Sequence, residues 1–154
     1  MKKLVSLVLL LTVVLCLTGC SKPTLKKLLD YPTGASVEEM EKFLEDCGYK
    51  PEKTAGTGTD TAITFTHGKW DGRAEGPVII LSISDDADDK DLDAMRKEIQ
   101  DICGEPYNET SSNVMADTVF VKEIYTNGNS EIVLTMIKGF ANTANILIHP
   151  GAGK

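Results

Sequence analysis

Leu4 to Leu17 is an almost unbroken apolar run, interrupted only by Ser6 and Thr12 and preceded by Met1-Lys2-Lys3. A helix that packs on a domain core needs a polar face, and this run has none. At about 14 residues it also falls short of the roughly 20 that a helix needs to cross the hydrocarbon core of a bilayer. A positive start followed by a short apolar stretch is the pattern of a secretory signal, so residues 1–19 are expected to be removed and the fold to be built from the rest. Cys20 to Lys154 then remains, about 135 residues and the size of one domain. A domain of that size buries roughly two thirds of the surface its unfolded chain exposes, so stability demands neither a metal nor a dense disulfide framework, and no cofactor is expected.

The apolar run ends in Leu17-Thr18-Gly19-Cys20, which resembles the lipobox of bacterial lipoproteins. The resemblance ends at Cys20 and covers nothing of the chain beyond it. It implies Leu17 at the third position before the cut, small residues at Thr18 and Gly19, and Cys20 as acceptor of a diacylglyceryl group. The implied location is the cell envelope, on the outward side of a bacterial membrane. Two acyl chains hold where one does not, because each buried methylene contributes about 0.8 kcal/mol and a single chain binds only marginally. The polar Ser21-Lys22-Pro23-Thr24 suits a short tether.

Charge excludes other routes to partners. Without Lys2 and Lys3, 14 basic residues face 23 acidic ones. Nucleic acid needs clustered Lys and Arg, and binding to an anionic lipid surface needs a basic patch. Neither is expected here, so membrane contact is assigned to the lipid on Cys20.

Hydrophobic periodicity divides the chain into a tether with a short apolar turn (20–33) and a single α+β domain (34–154). Leu25, Leu28 and Leu29 fall at helical spacing and are expected to dock on the core, the alternative being a place near the lipid surface. Ser36 and Glu39 have the spacing of a capping box, followed by Val37, Met40, Leu44 and Cys47 at steps of three and four, with Gly48 as terminator. A second helix carries Leu92, Met95, Ile99 and Ile102, opens on the acidic stretch Asp85 to Asp91, and stops at Gly104 and Pro106. Strands are predicted over 62–66, 78–83, 118–125, 131–137 and 145–148, with Asn127-Gly128-Asn129 as a hairpin turn and 68–76 as a turn-rich connection. The expected fold class is therefore α+β: an antiparallel sheet of about five strands with two helices on one face.

A weak repeat runs through this pattern. Cys47-Gly48 matches Cys103-Gly104 at an offset of 56, which also carries Ile63 and Phe65 onto Val119 and Val121. Two helix-plus-hairpin units are implied, an arrangement similar to tandem helix-hairpin folds among small envelope lipoproteins and secreted inhibitor domains. No residue motif carries that similarity, so it speaks to fold and not to function.

Few residues invite chemistry. With Cys16 in the signal and Cys20 assigned to lipid, Cys47 and Cys103 are the candidate disulfide pair, or else two thiols packed as small apolar groups. His67 and His149 stand near strand ends without a Cys/His cluster or a His-Glu-x-x-His pattern, and read first as surface histidines. Asp85 to Asp91 offers oxygen ligands for calcium, but carboxylates ahead of a helix also cap its amides. Ser82, Ser84, Ser111 and Ser112 belong to no nucleophile motif. Trp70, between Lys69 and Asp71 on a long hairpin loop, is a candidate partner contact, with packing over the sheet edge as the equal alternative. No metal site is expected. The leading expectation is a non-enzymatic, membrane-anchored lipoprotein that binds another envelope protein or a small ligand. The alternatives are an envelope hydrolase using His67 or His149, and a calcium-dependent binding module.

Overall fold

The computed structural model describes residues 22–32, 34–57, 60–83, 87–115, 118–128, 130–139 and 142–150. The expected signal segment, Cys16, Cys20, Ser84, Asp85 and Asp86 lie outside them.

Three short helices form one layer. Helix α1 (Leu25–Leu28) is a single turn whose Leu25 and Leu28 are buried, followed by buried Leu29 and Tyr31. Helix α2 (Val37–Asp46) opens with the capping box: Glu39 N donates to the Ser36 hydroxyl at 3.3 Å, and Ser36 N donates to the Glu39 carboxylate at 2.8 Å. Helix α3 (Asp89–Cys103) opens the same way, with Asp88 as N-cap and Asp91 reaching back to its N–H. The helices bury Met40 and Leu44 from α2 and Leu92, Met95 and Ile99 from α3, the rows that the three-and-four spacing marks.

Below them lies one antiparallel sheet of β1 (Glu52–Ala55), β2 (Thr61–His67), β3 (Trp70–Glu75), β4 (Val78–Ile83), β5 (Asn108–Met115), β6 (Thr118–Asn127), β7 (Ser130–Lys138) and β8 (Thr143–Pro150). The spatial order is β1-β2-β3-β4-β8-β7-β6-β5. Each half is thus α2 or α3 followed by a four-strand meander, and the halves join through the last strand of each. The β3–β4 turn shows why the chain reverses so tightly: Gly76 has φ +56 and Pro77 fixes a negative φ after it, the pattern of a type II′ turn.

The expected fold class is corrected by this sheet. Among the described residues it has eight strands, not about five, and there are three short helices, not two, so the architecture is dominated by the sheet. Three strands escaped the sequence pattern for physical reasons. Strand β1, and β5 over residues 108–114, are exposed on both faces, so no apolar alternation marks them. Strand β3 does alternate, but two of its three core-facing positions are Gly72 and Ala74. Gly72 is small because the Phe65 ring on the neighbouring strand fills the space above it: an added Cβ would lie 2.5 Å from that ring.

The core lies between sheet and helices and takes alternate residues from six strands, among them Ile63, Phe65, Ile79, Leu81, Ile146, Ile148, Ile132 and Leu134. The segment around α1 is fastened into this core rather than laid upon it. Leu25 N donates to Glu98 (3.1 Å), Lys27 Nζ to the Cys47 carbonyl (3.2 Å), Ser130 Oγ to the Leu29 carbonyl (3.0 Å) and the Tyr31 hydroxyl to the Gly76 carbonyl (2.8 Å). Burial pushes the Tyr31 phenol up to about 12. Leu28→Ala is expected to cost about 2–5 kcal/mol through the cavity it leaves, read as a lower urea midpoint at unchanged slope. A change below about 0.5 kcal/mol, the scale of an ordinary surface substitution, would mean that α1 is not part of the cooperative unit.

Candidate binding face and histidine clusters

Side chains alternate across a strand, so the sheet has a second face that the helices do not cover. The register brings four apolar residues into one transverse row there: Ile80 lies opposite Leu147, Leu147 opposite Val133, and Val133 opposite Ile124. All four are half-buried. A second row begins at Phe120 and Ile137, which face each other, and Ile137 is 38% exposed. Toward β3 and β2 the same face turns polar, with Asp71, Arg73, Glu75, Thr64 and Thr66. Arg73 is held there by the Glu75 carboxylate (2.9 Å), and the amide of Thr57 together with Arg73 draws the Glu75 carboxyl down to about 2. The result is an uncovered sheet face, apolar over β4, β8, β7 and β6 and charged beside them.

Each histidine meets a carboxylate, and a tyrosine stands in each cluster, on the imidazole of His67 and on the carboxylate partner of His149. His67, at the end of β2, has Nδ1 2.8 Å from the Tyr49 hydroxyl and Nε2 3.5 Å from Glu98 of α3. A proton on Nε2 satisfies both contacts, with the tyrosine donating to Nδ1. The order hydroxyl, imidazole, carboxylate is that of a nucleophile, its base and its orienting group. Its surroundings are those of a structural clamp: Tyr49 is buried, packed edge-on against Phe65 at 4.9 Å, and burial raises its phenol above the ordinary range. Glu98 also accepts the Leu25 amide, so the cluster pins α1 to α3 and β2.

This clamp makes stability depend on acid. His67 foremost, and the Leu25 amide, hold the Glu98 carboxyl below its ordinary value in the folded chain, and Lys69 does the same for Asp91. A depressed folded value means that the contribution is complete above the ordinary carboxylate range and is lost as pH falls through the folded value. The urea midpoint should therefore drop as pH falls below the ordinary carboxylate range of about 4 to 4.5, less steeply in Glu98→Gln. Parallel profiles for the two proteins over that window would remove Glu98 from the account.

His149 sits on the uncovered face at the end of β8, its Nε2 3.1 Å from Glu131 and its Nδ1 2.9 Å from the Pro150 carbonyl. Glu131 also accepts from the exposed Tyr107 hydroxyl at 2.7 Å. A third polar group was not foreseen. Glu123 of β6 is fully buried on the core face, where Arg96 of α3 pairs with it and the Tyr125 hydroxyl donates to it. A signal for it was present: the same offset that aligns the two halves carries His67 onto Glu123. Helix α3 thus ties each half of the sheet, Glu98 reaching His67 and Arg96 reaching Glu123.

The other residues that the sequence singles out settle elsewhere. Trp70 is corrected: it lies in β3, not on a long hairpin loop, and at 5% exposure it belongs to the core, because strand alternation sends its charged neighbour Asp71 outward. Cys47 is buried and Cys103 half-buried, and both are free thiols. Of the acidic stretch, Asp88 and Asp91 are engaged at the α3 N-terminus, Asp91 also accepts from Lys69 at 2.7 Å, and Asp89 accepts from Asn142. Among the described residues no three His, Cys, Asp or Glu side chains gather as metal ligands. No helix among them is long and apolar enough to cross a membrane.

Comparison with family models, curated proteins and solved structures finds no match.

Proposed function

We propose that this chain is an exported lipoprotein, held on the outward side of a bacterial membrane by lipid on Cys20, and that its uncovered sheet face binds another envelope protein or a small ligand without catalysis. The observation that carries the binding part is the half-buried apolar row Ile80, Leu147, Val133 and Ile124, an apolar surface rimmed by charge of the kind that marks interaction sites. Support for the anchor comes from the Leu17 to Cys20 motif and the acidic balance. From Cys20 to the fastened Leu25 the chain spans at most about 18 Å, so a lipidated protein would ride close to its bilayer. The buried tyrosine at His67 speaks against the hydrolase reading, since a nucleophile must be reached by substrate.

Two measurements test this. Cys20→Ser should abolish incorporation of labelled palmitate and shift the protein out of the detergent phase; labelling that persists would sink the anchor. A photo-crosslinking residue at Val133 should give a discrete adduct in the native envelope that the same residue at Lys42, on the helix layer, does not. Loss of that adduct in Leu147→Lys, with unchanged palmitate labelling and melting temperature, is the expected result. Equal adducts from both positions would remove the sheet face as the binding surface.

A further inference from the structure

We infer that β5 is a pairing edge for a second copy of this chain, joining two sheets into one through antiparallel β5–β5 contact. The two edges of the sheet are treated differently by the sequence. Strand β1 is four residues long, carries adjacent Glu52 and Lys53, and has Lys53 engaged with Glu41 at 3.0 Å. Strand β5 is eight residues long, contains no Lys or Pro of the kind that blunts an edge, and carries a single charge, Glu109. Among the described residues its outer side meets no other strand, so a row of backbone donors and acceptors faces outward. The large apolar residues most exposed among the described residues, Tyr107, Val114 and Ile137, all lie at this end of the sheet, Tyr107 and Val114 at 59% exposure.

The occupant follows from register. A two-fold axis perpendicular to a sheet keeps each residue on its own face, so a residue on the axis must meet its own counterpart. With Ser111 on that axis, Thr110 faces Ser112, Glu109 faces Asn113 and Asn108 faces Val114 of the other copy. Hydroxyls meet hydroxyls, and no like charges oppose each other. The irregularity between Asn113 and Met115 falls beyond the central five pairs. A pairing of β5 with β1 would instead leave a free edge at each end and run on into chains. The same axis places both helix layers on one side and both apolar rows on the other. Both α1 segments therefore lie on the same side, so two anchored copies can share one bilayer; this last point alone rests on the anchoring reading.

Cysteine crosslinking in membranes carrying the full-length chain tests the register. Under copper-phenanthroline oxidation, Ser111→Cys should yield a disulfide-linked dimer, while Glu109→Cys, on the order of 14 Å from its own counterpart, should not. Wild type supplies the background from Cys47 and Cys103. Ser111→Lys, which puts like charges on the axis at an exposed site, should weaken self-association about tenfold in sedimentation equilibrium while leaving the melting temperature unchanged. Equal crosslinking at 109 and 111, ladders beyond the dimer, absence of a Ser111→Cys dimer, or a Ser111→Cys adduct to a different protein would each overturn the proposal. Palmitate labelling of the same cells separates this outcome from failure of the anchor.

Discussion

Arg96→Met should destabilise the protein by about 3 kcal/mol, because it strands a carboxylate that has no access to water. Glu123 is fully buried and depends on the Arg96 guanidinium for charge and on Tyr125 for one hydrogen bond. Arg96 itself is one third exposed, so solvent relieves some of the loss, and the figure is set at the low end for a broken buried pair. Adding Glu123→Gln should recover part of that loss, since a neutral amide needs no counter-charge and its oxygen still accepts from Tyr125. A double-mutant cycle on urea midpoints reads the coupling, which should exceed about 1 kcal/mol. If the stability of Arg96→Met lies within about 0.5 kcal/mol of wild type, the range of a neutral surface change, α3 is not tied to β6 by charge.

The second large effect is expected at Gly72. A methyl group there meets the Phe65 ring at 2.5 Å, and Phe65 has no room to retreat, being buried and packed edge-on against Tyr49. Gly72→Ala should cost about 2–3 kcal/mol through overpacking. Phe65→Ala should cost about 3–5 kcal/mol alone and clearly less in the Gly72→Ala background, where the clash has been removed. Because Tyr49 also holds His67, the Gly72→Ala protein should show a displaced His67 imidazole resonance in NMR spectra, although the two residues do not touch. An unmoved resonance with a full stability loss would confine the damage to packing.

These two sites also mark where the sequence was legible and where it was not. Val37, Met40 and Leu44, and Leu92, Met95 and Ile99, announce their helices because one face of each is buried at steps of three and four. Ile63 and Phe65 announce β2 for the corresponding reason. Strand β3 was hidden by its own packing: where Phe65 supplies the bulk, Gly72 shows none, and the chain there resembles a turn. Glu123, between Lys122 and Ile124, has the look of a solvent-facing charge, and only the approach of Arg96 from a helix earlier in the chain makes it a core residue. Trp70 misleads in the opposite sense, since charged neighbours in a strand lie on the far face. The apolar row across Ile80, Leu147, Val133 and Ile124 needs the register of four strands, which no local pattern contains.

Strand β8 is the last of the eight in chain order, yet it lies in the middle, between β4 and β7. Until Thr143 to Pro150 has emerged, the two meanders have no common hydrogen bonds and Ile79, Leu81 and Leu134 lack the neighbours Ile146 and Ile148. A chain made from its N-terminus would therefore keep two raw strand edges, on β4 and β7, until β8 arrives between them. Joining of the two halves into one sheet is thereby set to a late step in chain order.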